Sequence, residues 1–213
     1  MQSGKLRRHS LDYTKEEIHY LRKHSPNRIL RIADPNWGIV KHDVQLAEYI
    51  RELYDAEGYP NSLRVYYSAS GPFENVRQMA ATLRPLLPLN MSFQSLTKEV
   101  LKNITRSNMG LEKVEEMVQF AHEKRIATST ELISGLPGET YESFRQCFLK
   151  AVELRIDSIY MGHLYLIKGS ELYTYEARKK HGFKTAYSLI GKDVTEIDGK
   201  LTFEMDEMVV ENN

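Results

Sequence analysis

The sequence predicts an α/β fold built around a parallel sheet. Short apolar runs rich in β-branched and aromatic residues are typical of strands covered on both faces. Helical patterns separate these runs at about the spacing of βαβ units, roughly 30 residues. The pattern alone allows an open doubly wound sheet or part of a (β/α) barrel. The predicted strands are residues 28–34, 63–69, 89–95, 126–135 and 156–167.

The helices between these strands are predicted from caps and apolar spacing. A T-x-x-E capping box opens a predicted helix over 14–24. A second helix is expected over 44–56, before a glycine and a proline. Apolar residues at i, i+3, i+4 and i+7 indicate helices around 114–121 and 144–151. An Asp-Gly pair within 197–204 predicts a hairpin turn.

The composition excludes several classes of protein. The 213 residues include 29 basic and 29 acidic side chains, so charge gives no reason to expect nucleic acid or an anionic membrane as a partner. There is no long apolar run and no secretory signal, which favours a cytoplasmic protein without a membrane span. Cys147 is the only cysteine, which excludes an internal disulfide or a cysteine-rich metal site. It lies on an apolar helix face and is interpreted as a core residue.

The glycine-rich segment 131–140, ELISGLPGET, follows the fourth predicted strand. Ligands of parallel α/β folds bind at such strand ends. Gly135 and Gly138 allow positive φ and close approach of a ligand to the backbone, and Pro137 stiffens the turn. Thr140 is expected to cap the next helix. An ordinary strand-to-helix turn explains the same residues, and the segment alone does not decide between the two interpretations.

Polar residues follow two other predicted strands. Gln94 ends the third, and Thr97 is expected to cap a short helix with Arg106 at or just past its end. A glutamine can bond a ribose or an amide, and an arginine can bind a carboxylate with two hydrogen bonds. For Arg106 alone, a charge that complements the helix dipole is the favoured interpretation. Asp34 ends the first strand, where a ligand contact and an Asp-Pro turn with Trp37 packed on a helix are equally consistent.

Taken in order, four segments resemble the core of radical S-adenosylmethionine (SAM) enzymes. They are DPNWG, SFQSLTKEVLKNITR, ELISGLPGETYESF and HLYLIKGSEL. The first two are most similar to the subgroup that carries a cobalamin-binding domain. The resemblance runs from about Lys5 to Asn213 and implies a partial (β/α)6 TIM-like barrel, with about five of its strands in this chain. Residues 1–183 would form the barrel core and 184–213 the start of a C-terminal extension.

The resemblance also implies a SAM site. Ile133, Gly135 and Gly138 match the motif that lines the adenine. Gln94 matches a polar residue facing the ribose and methionine, and Arg106 an arginine that reaches the SAM carboxylate.

Two further implications concern the methionine amino group and the iron-sulfur cluster. Asp34 and Asn36 occupy the strand end where the family binds the amino group, although the usual G-G-E is absent. The family's C-x-x-x-C-x-x-C loop is absent too, so the resemblance assigns no catalytic and no metal-binding residue to this chain. We therefore expect the chain to be a fragment that starts just after the cluster loop.

The function implied by the resemblance is reductive cleavage of SAM to a 5′-deoxyadenosyl radical by the parent protein. Its cofactors would be SAM, a 4Fe-4S cluster and, in this subgroup, cobalamin held by a separate domain. Methyl transfer is one reaction that the subgroup implies, and ring formation and rearrangement are the alternatives. Its partners would be a small-molecule substrate and an electron donor. Two alternatives remain open: a non-catalytic SAM-binding, nucleotide-binding or partner-binding module, and an unrelated phosphate-binding (β/α) enzyme.

Five strands of a six-stranded barrel would leave a sheet edge unpaired, and unpaired edges promote association between chains. We therefore expect the 213-residue chain to be dimeric or prone to aggregation. Light scattering coupled to size exclusion measures this directly. A homogeneous, heat-stable monomer would contradict the expectation.

Overall fold

The computed structural model describes residues 7–68, 71–105, 110–198 and 200–212. Packing divides the chain into two compact units. The first comprises Met1–Met91 and Met109–Ser129, and the second comprises Ser92–Asn108 and Thr130–Asn213. Each unit is an α/β assembly in its own right.

The described helices and strands alternate along most of the chain. In order they are α1 (Leu11–His24), β1 (Ile29–Arg31), α2 (Lys41–Glu57), β2 (Ser62–Arg64), α3 (Phe73–Thr82), β3 (Leu89–Asn90), α4 (Lys98–Asn103), α5 (Leu111–Glu123), β4 (Thr128–Ser134), α6 (Tyr141–Glu153), β5 (Ser158–His163), α7 (Tyr175–His181), β6 (Lys184–Ile197) and β7 (Lys200–Glu211). A single 3-10 turn, Glu171–Tyr173, precedes α7.

Parallel pairing, as predicted, builds the first unit. Strand β1 pairs with β2 in the register Leu30↔Leu63, and β3 pairs with the beginning of β4 in the register Leu89↔Thr128. Side chains from helices α1, α2 and α3 pack against β1 and β2 and form a buried core. Its most buried large side chains are Trp37, Ile50, Tyr59, Met79 and Leu83.

The first helix begins earlier than its capping box predicts. Helix α1 starts at Leu11, and Ser10 is the N-cap whose side chain accepts a hydrogen bond from the Tyr13 N–H at 3.2 Å. Thr14 lies inside the helix and donates its hydroxyl to the Ser10 carbonyl. The prediction was wrong because Ser10 can cap this helix as well, one turn before Thr14.

The hydrogen-bonded strands are shorter than the apolar runs that predict them. The run 28–34 contributes only Ile29–Arg31, and the run 63–69 overlaps β2 over Leu63 and Arg64 only. Beyond these residues the two segments meet again through an isolated parallel bridge between Trp37 and Tyr67. Ile32, Val65 and Tyr67 still pack, partly buried, against the core, so the apolar runs extend beyond the hydrogen-bonded residues.

The second unit contains the rest of β4, which neighbours β5 in the sheet. The fifth predicted strand, 156–167, divides into two parts. Strand β5 ends at His163, and the next residues turn to pair antiparallel with β7, with Leu166 N–H donating to Glu207 O at 2.8 Å. The predicted hairpin is confirmed and is longer than expected, since β6 and β7 pair from Ile197↔Lys200 as far as Lys184↔Glu211.

An ion pair fastens this hairpin to helix α7. The Arg178 guanidinium donates to both oxygens of Glu207, at 2.6 and 2.5 Å, and the Thr185 hydroxyl donates to the same carboxylate. These bonds lower the pKa of Glu207 to about 2. Among the helices in the described ranges, none is both long and apolar enough to cross a membrane.

Leu46 gives a direct measure of the first core. It is 5% exposed in α2, so Leu46→Ala leaves a cavity and should lower the free energy of unfolding by about 2–5 kcal/mol. Leu111, 42% exposed at the start of α5, is the matched control, and Leu111→Ala should cost less than about 1 kcal/mol. Urea denaturation compares the two; equal effects would contradict the burial described here.

Candidate functional site

The predicted site residues fall in both units. Gln94, Ile133, Gly135 and Gly138 lie in the second, whereas Asp34 and Asn36 lie in the first. Arg106 lies outside the described residues. Helix α4 follows Thr97 as predicted and ends at Asn103, although the Thr97 side chain makes no capping hydrogen bond.

Gln94 lies in a strained turn four residues beyond Asn90, the last residue of β3. Its φ is +55°, and the Ser95 N–H closes a tight turn onto the Phe93 carbonyl at 2.5 Å. A left-handed conformation costs about 1–2 kcal/mol in a residue with a side chain. Two parallel hydrogen bonds to β4 hold the turn: Gln94 N–H donates to Glu131 O at 2.9 Å, and Ile133 N–H donates to Gln94 O at 3.0 Å. The Gln94 side chain remains half-exposed at the strand end.

The glycine loop turns away from β4 immediately beyond this contact. Gly135 and Gly138 have φ of +81° and +79°, which explains the need for glycine at both positions. A Cβ on Gly138 would lie 2.8 Å from Asn103 Nδ2, and this amide donates to the Pro137 carbonyl at 3.1 Å. The space freed at Gly138 is therefore filled by a side chain of helix α4.

The C-terminal hairpin covers the other glycine. A Cβ on Gly135 would meet the Val209 carbonyl oxygen at 3.5 Å. Asn212 Nδ2 donates to the carbonyls of Gly135 and Leu136, at 2.8 and 3.0 Å. Asn103, Val209 and Asn212 were not identified from the sequence. Their separation from the loop, up to 77 residues for Asn212 and Gly135, leaves no local signal that could have identified them.

Ile133 and the helix after the loop complete this region. Ile133 packs, half-buried, against a cluster that includes Leu136, Leu164 and Val209. The predicted cap is confirmed, because the Thr140 hydroxyl accepts from the Ser143 N–H at 3.1 Å at the start of α6.

A buried polar network lies beneath the Gln94 turn. The Ser95 hydroxyl donates to Glu139 Oε1 at 3.1 Å, and the Leu96 N–H donates to Cys147 Sγ at 3.1 Å. Cys147 is 3% exposed on α6, in agreement with the prediction that it is a core residue. Burial raises the pKa of Glu139 to about 7, against the opposing hydrogen bonds from Ser95 and the Leu136 backbone. Glu139 was not identified from the sequence.

In the first unit, Asp34 and Asn36 form a turn at the edge of a cleft. Asp34 Oδ1 accepts from the Asn36 N–H at 2.8 Å, and Trp37 is 1% exposed, as the Asp-Pro turn interpretation requires. The cleft, of about 890 Å³, lies between α1, the segment after β1 and the start of α2. Asp43 accepts from the N–H groups of Gly38 and Val40, and burial raises its pKa above the usual range. A ligand contact of Asp34 stays a prediction.

This parallel α/β fold carries a glycine loop and a strained polar turn at neighbouring strand ends. Proteins of this class bind ligands at this edge of the sheet. No family model matches the chain. The cobalamin-dependent radical SAM methyltransferase TokK of Streptomyces tokunonensis is 29% identical over 214 residues, which is 98% of this chain and 31% of TokK.

A second curated relative is the 2-(S-pantetheinyl)-carbapenam-3-carboxylate methyltransferase of Streptantibioticus cattleyicolor. It is 32% identical over 143 residues, 66% of this chain and 21% of the relative. The chain thus spans less than a third of the length of either protein. Together these relatives confirm the resemblance to the radical SAM superfamily and to its cobalamin-dependent subgroup.

Solved structures support the fold. The radical SAM methyltransferase TsrM from Kitasatospora setae, with cobalamin and a 4Fe-4S cluster bound, matches 73% of this chain and 29% of its own at a TM-score of 0.57 and 19% identity. A TsrM structure with tryptophan and the SAM analogue aza-SAM gives a TM-score of 0.56. The α/β fold with parallel strands, similar to that of radical SAM proteins, is therefore confirmed.

The Gly138 contact yields a test of the loop. Gly138→Ala combines a positive φ with a clash against Asn103, and we expect it to destabilise the chain by about 2–4 kcal/mol. Gly58 is the matched control, with φ +62° and nothing within 4 Å of an added Cβ, so Gly58→Ala should cost only about 1–2 kcal/mol. Thermal or urea unfolding measures both.

The double variant Gly138→Ala/Asn103→Ala separates the clash from backbone strain. Removing the Asn103 amide relieves the contact, so the double variant should lose less stability than the two single variants combined. Strict additivity would show that the clash is not the source of the loss.

Proposed function

We propose that this chain is the SAM-binding part of a radical SAM enzyme, and that the whole enzyme is a cobalamin-dependent methyltransferase. The observation that supports the proposal most directly is the pairing of the Gln94 turn with β4 beside the glycine loop. This pairing brings together, in one unit, two of the segments that resemble radical SAM enzymes. The two curated relatives described above are methyltransferases.

Each proposed contact has a chemical reason. Ile133 would contact the adenine face, with the backbone of Gly135 and Gly138 beside it. Gln94 would bond the ribose or the methionine end of SAM, and Arg106 the carboxylate. For Asp34 and Asn36, in the first unit, contact with the methionine amino group stays a prediction from the resemblance; their side-chain oxygens are acceptors suited to an amine.

The groups proposed to contact SAM are partly accessible at this edge of the sheet. Gln94 and Ile133 are half-buried at the strand end, and Gly135 keeps a partly exposed surface beside Val209. By contrast, the described ranges contain no group of three His, Cys, Asp or Glu side chains that could hold a metal. Cys147 is buried and accepts a hydrogen bond from Leu96. As the resemblance implies, we assign no iron ligand to the described residues.

When bound, a 4Fe-4S cluster would supply the electron that cleaves SAM and cobalamin would serve as the methyl carrier, while Gln94, Arg106 and the glycine loop would hold and orient SAM. We infer that residues 1–183 form part of a (β/α)6 barrel and that 184–213 begin a C-terminal extension; β6 starts at Lys184, which supports this boundary. The substrate is proposed to be a small molecule, the electron donor a separate partner, and the location cytoplasmic.

Calorimetric titration of the 213-residue chain with SAM tests the binding site. Gln94→Ala should weaken binding about five-fold, since a neutral hydrogen bond contributes about 1 kcal/mol. Arg106→Ala should weaken it about ten-fold or more, because a charged pair is lost. Gln119→Ala and Arg145→Ala, which remove exposed side chains bonded to Glu123 and Glu142, are the matched controls and should bind as the unmodified chain does.

If neither site variant changes the affinity for SAM, the proposed SAM site is wrong. Catalysis is tested separately in the complete gene product, reconstituted anaerobically with iron and sulfide. Reductant-dependent formation of methionine and 5′-deoxyadenosine from SAM would support the proposed radical SAM activity. SAM binding without cluster absorbance and without cleavage would favour the non-catalytic module instead.

A further inference from the structure

The glycine loop separates from the sheet directly after Ser134. The Leu164 N–H donates to the Ser134 carbonyl at 2.9 Å, as expected for parallel strands. The next hydrogen bond of a parallel ladder would run from the Leu136 N–H to the Leu164 carbonyl. Instead, the Leu164 carbonyl accepts from the Val209 N–H of β7 at 2.9 Å. The loop is therefore not held by this neighbouring strand and takes its shape from other contacts.

Two asparagine side chains provide such contacts. Asn212 Nδ2 donates to the carbonyls of Gly135 and Leu136, at 2.8 and 3.0 Å. Asn103 Nδ2 donates to the next carbonyl, that of Pro137, at 3.1 Å. Three consecutive carbonyls of the loop are thus held by side chains of the second unit. Because a peptide unit is planar, a hydrogen bond that fixes its carbonyl also fixes the orientation of the whole unit.

Asn212 makes both of its bonds to the loop through one nitrogen atom. A primary amide carries two N–H groups, and both acceptors are carbonyl oxygens, so the side chain must present its nitrogen to the loop. The strand before Asn212 is anchored at two points. The Val209 N–H bonds the Leu164 carbonyl, and the Glu207 carboxylate accepts two hydrogen bonds from Arg178. Asn212 therefore has a defined position, one residue beyond the end of β7.

We propose that Asn212 is a positioning residue for SAM, because it holds the peptides after Gly135 and Leu136 in the orientation in which the loop contacts the adenosyl part of the ligand. The inference rests on the proposed SAM site, where the backbone of Gly135 lies beside the adenine. Gly135 has a φ of +81° and no Cβ to restrict it, so the loop loses its orientation once the Asn212 amide is removed. SAM then has to order the loop as it binds, which lowers its affinity.

Two ligands separate the adenosyl end of SAM from its amino-acid end in the experiment. SAM has both ends, whereas 5′-methylthioadenosine keeps the adenosyl part and lacks the amino and carboxyl groups. In calorimetric titrations of the 213-residue chain, Asn212→Ala should weaken the binding of both ligands by a similar factor, about ten-fold, as expected for the ordering of one residue. Arg106→Ala should weaken the binding of SAM alone, because the proposed partner of Arg106 is the carboxylate.

Three further variants distinguish positioning from a general loss of stability. Asn212→Asp has almost the same shape but places carboxylate oxygens against the two carbonyls, so it should bind 5′-methylthioadenosine at least as weakly as Asn212→Ala does. This ligand is uncharged, so the new negative charge gives no compensating attraction. Asn212→Gln keeps the donor nitrogen and should recover part of the affinity. Glu211→Gln, which alters the exposed ion pair of Glu211 with Lys184, is the matched control and should bind both ligands as the unmodified chain does.

The outcomes distinguish this inference from the function on which it rests. The role of Asn212 is overturned if Asn212→Ala binds 5′-methylthioadenosine within about two-fold of the unmodified chain, or if Asn212→Asp and Asn212→Gln bind it equally. Absence of SAM binding by the unmodified chain overturns the proposed function instead. Circular dichroism checks that each variant is folded, and if Asn212→Ala is not, the comparison of Asn212→Asp with Asn212→Gln decides.

Discussion

The second unit depends on two main-chain hydrogen bonds that hold a left-handed residue against β4. The Gln94 N–H donates to the Glu131 carbonyl at 2.9 Å, and the Gln94 carbonyl accepts from the Ile133 N–H at 3.0 Å, so the segment beyond β3 is fixed to the middle of β4. A conformation that most residues avoid persists because the neighbouring strand determines it. Strain of this kind clusters at ligand sites, and here it is placed at a strand end, where parallel sheets bind their ligands.

The loop beyond β4 is shaped by segments that are distant in sequence. Asn103 from α4 fills the space beside Gly138, while Val209 and Asn212 close over Gly135. Glycine at these positions thus allows close packing within the protein as well as backbone exposure. The hairpin that contains Val209 is anchored to α7 by the ion pair between Arg178 and Glu207. This ion pair therefore also holds the strand that packs against the glycine loop.

Local signals in the sequence predicted local structure well. The order of strands and helices, the Thr140 cap and the hairpin predicted over 197–204 are confirmed, the last by the pairing of β6 with β7, because each depends on residues close in the chain. Strand lengths were overestimated, since apolar side chains report burial and not the extent of a ladder. The partners of the glycine loop and the Ser95–Glu139 bond could not be predicted, because a contact across 44 residues leaves no periodic trace.

The hydrogen bonds from Asn212 to the glycine loop can form only late in the synthesis of the chain. The chain emerges from the ribosome N-terminus first, so a contact between residues distant in sequence cannot form until the later residue has been synthesised. The carbonyls of Gly135 and Leu136 therefore stay hydrated until more than 70 further residues have been synthesised and Asn212 can donate to them. A nascent chain that pauses before β7 would expose this loop with its backbone groups unpaired, and chaperones have their longest access to it during that interval.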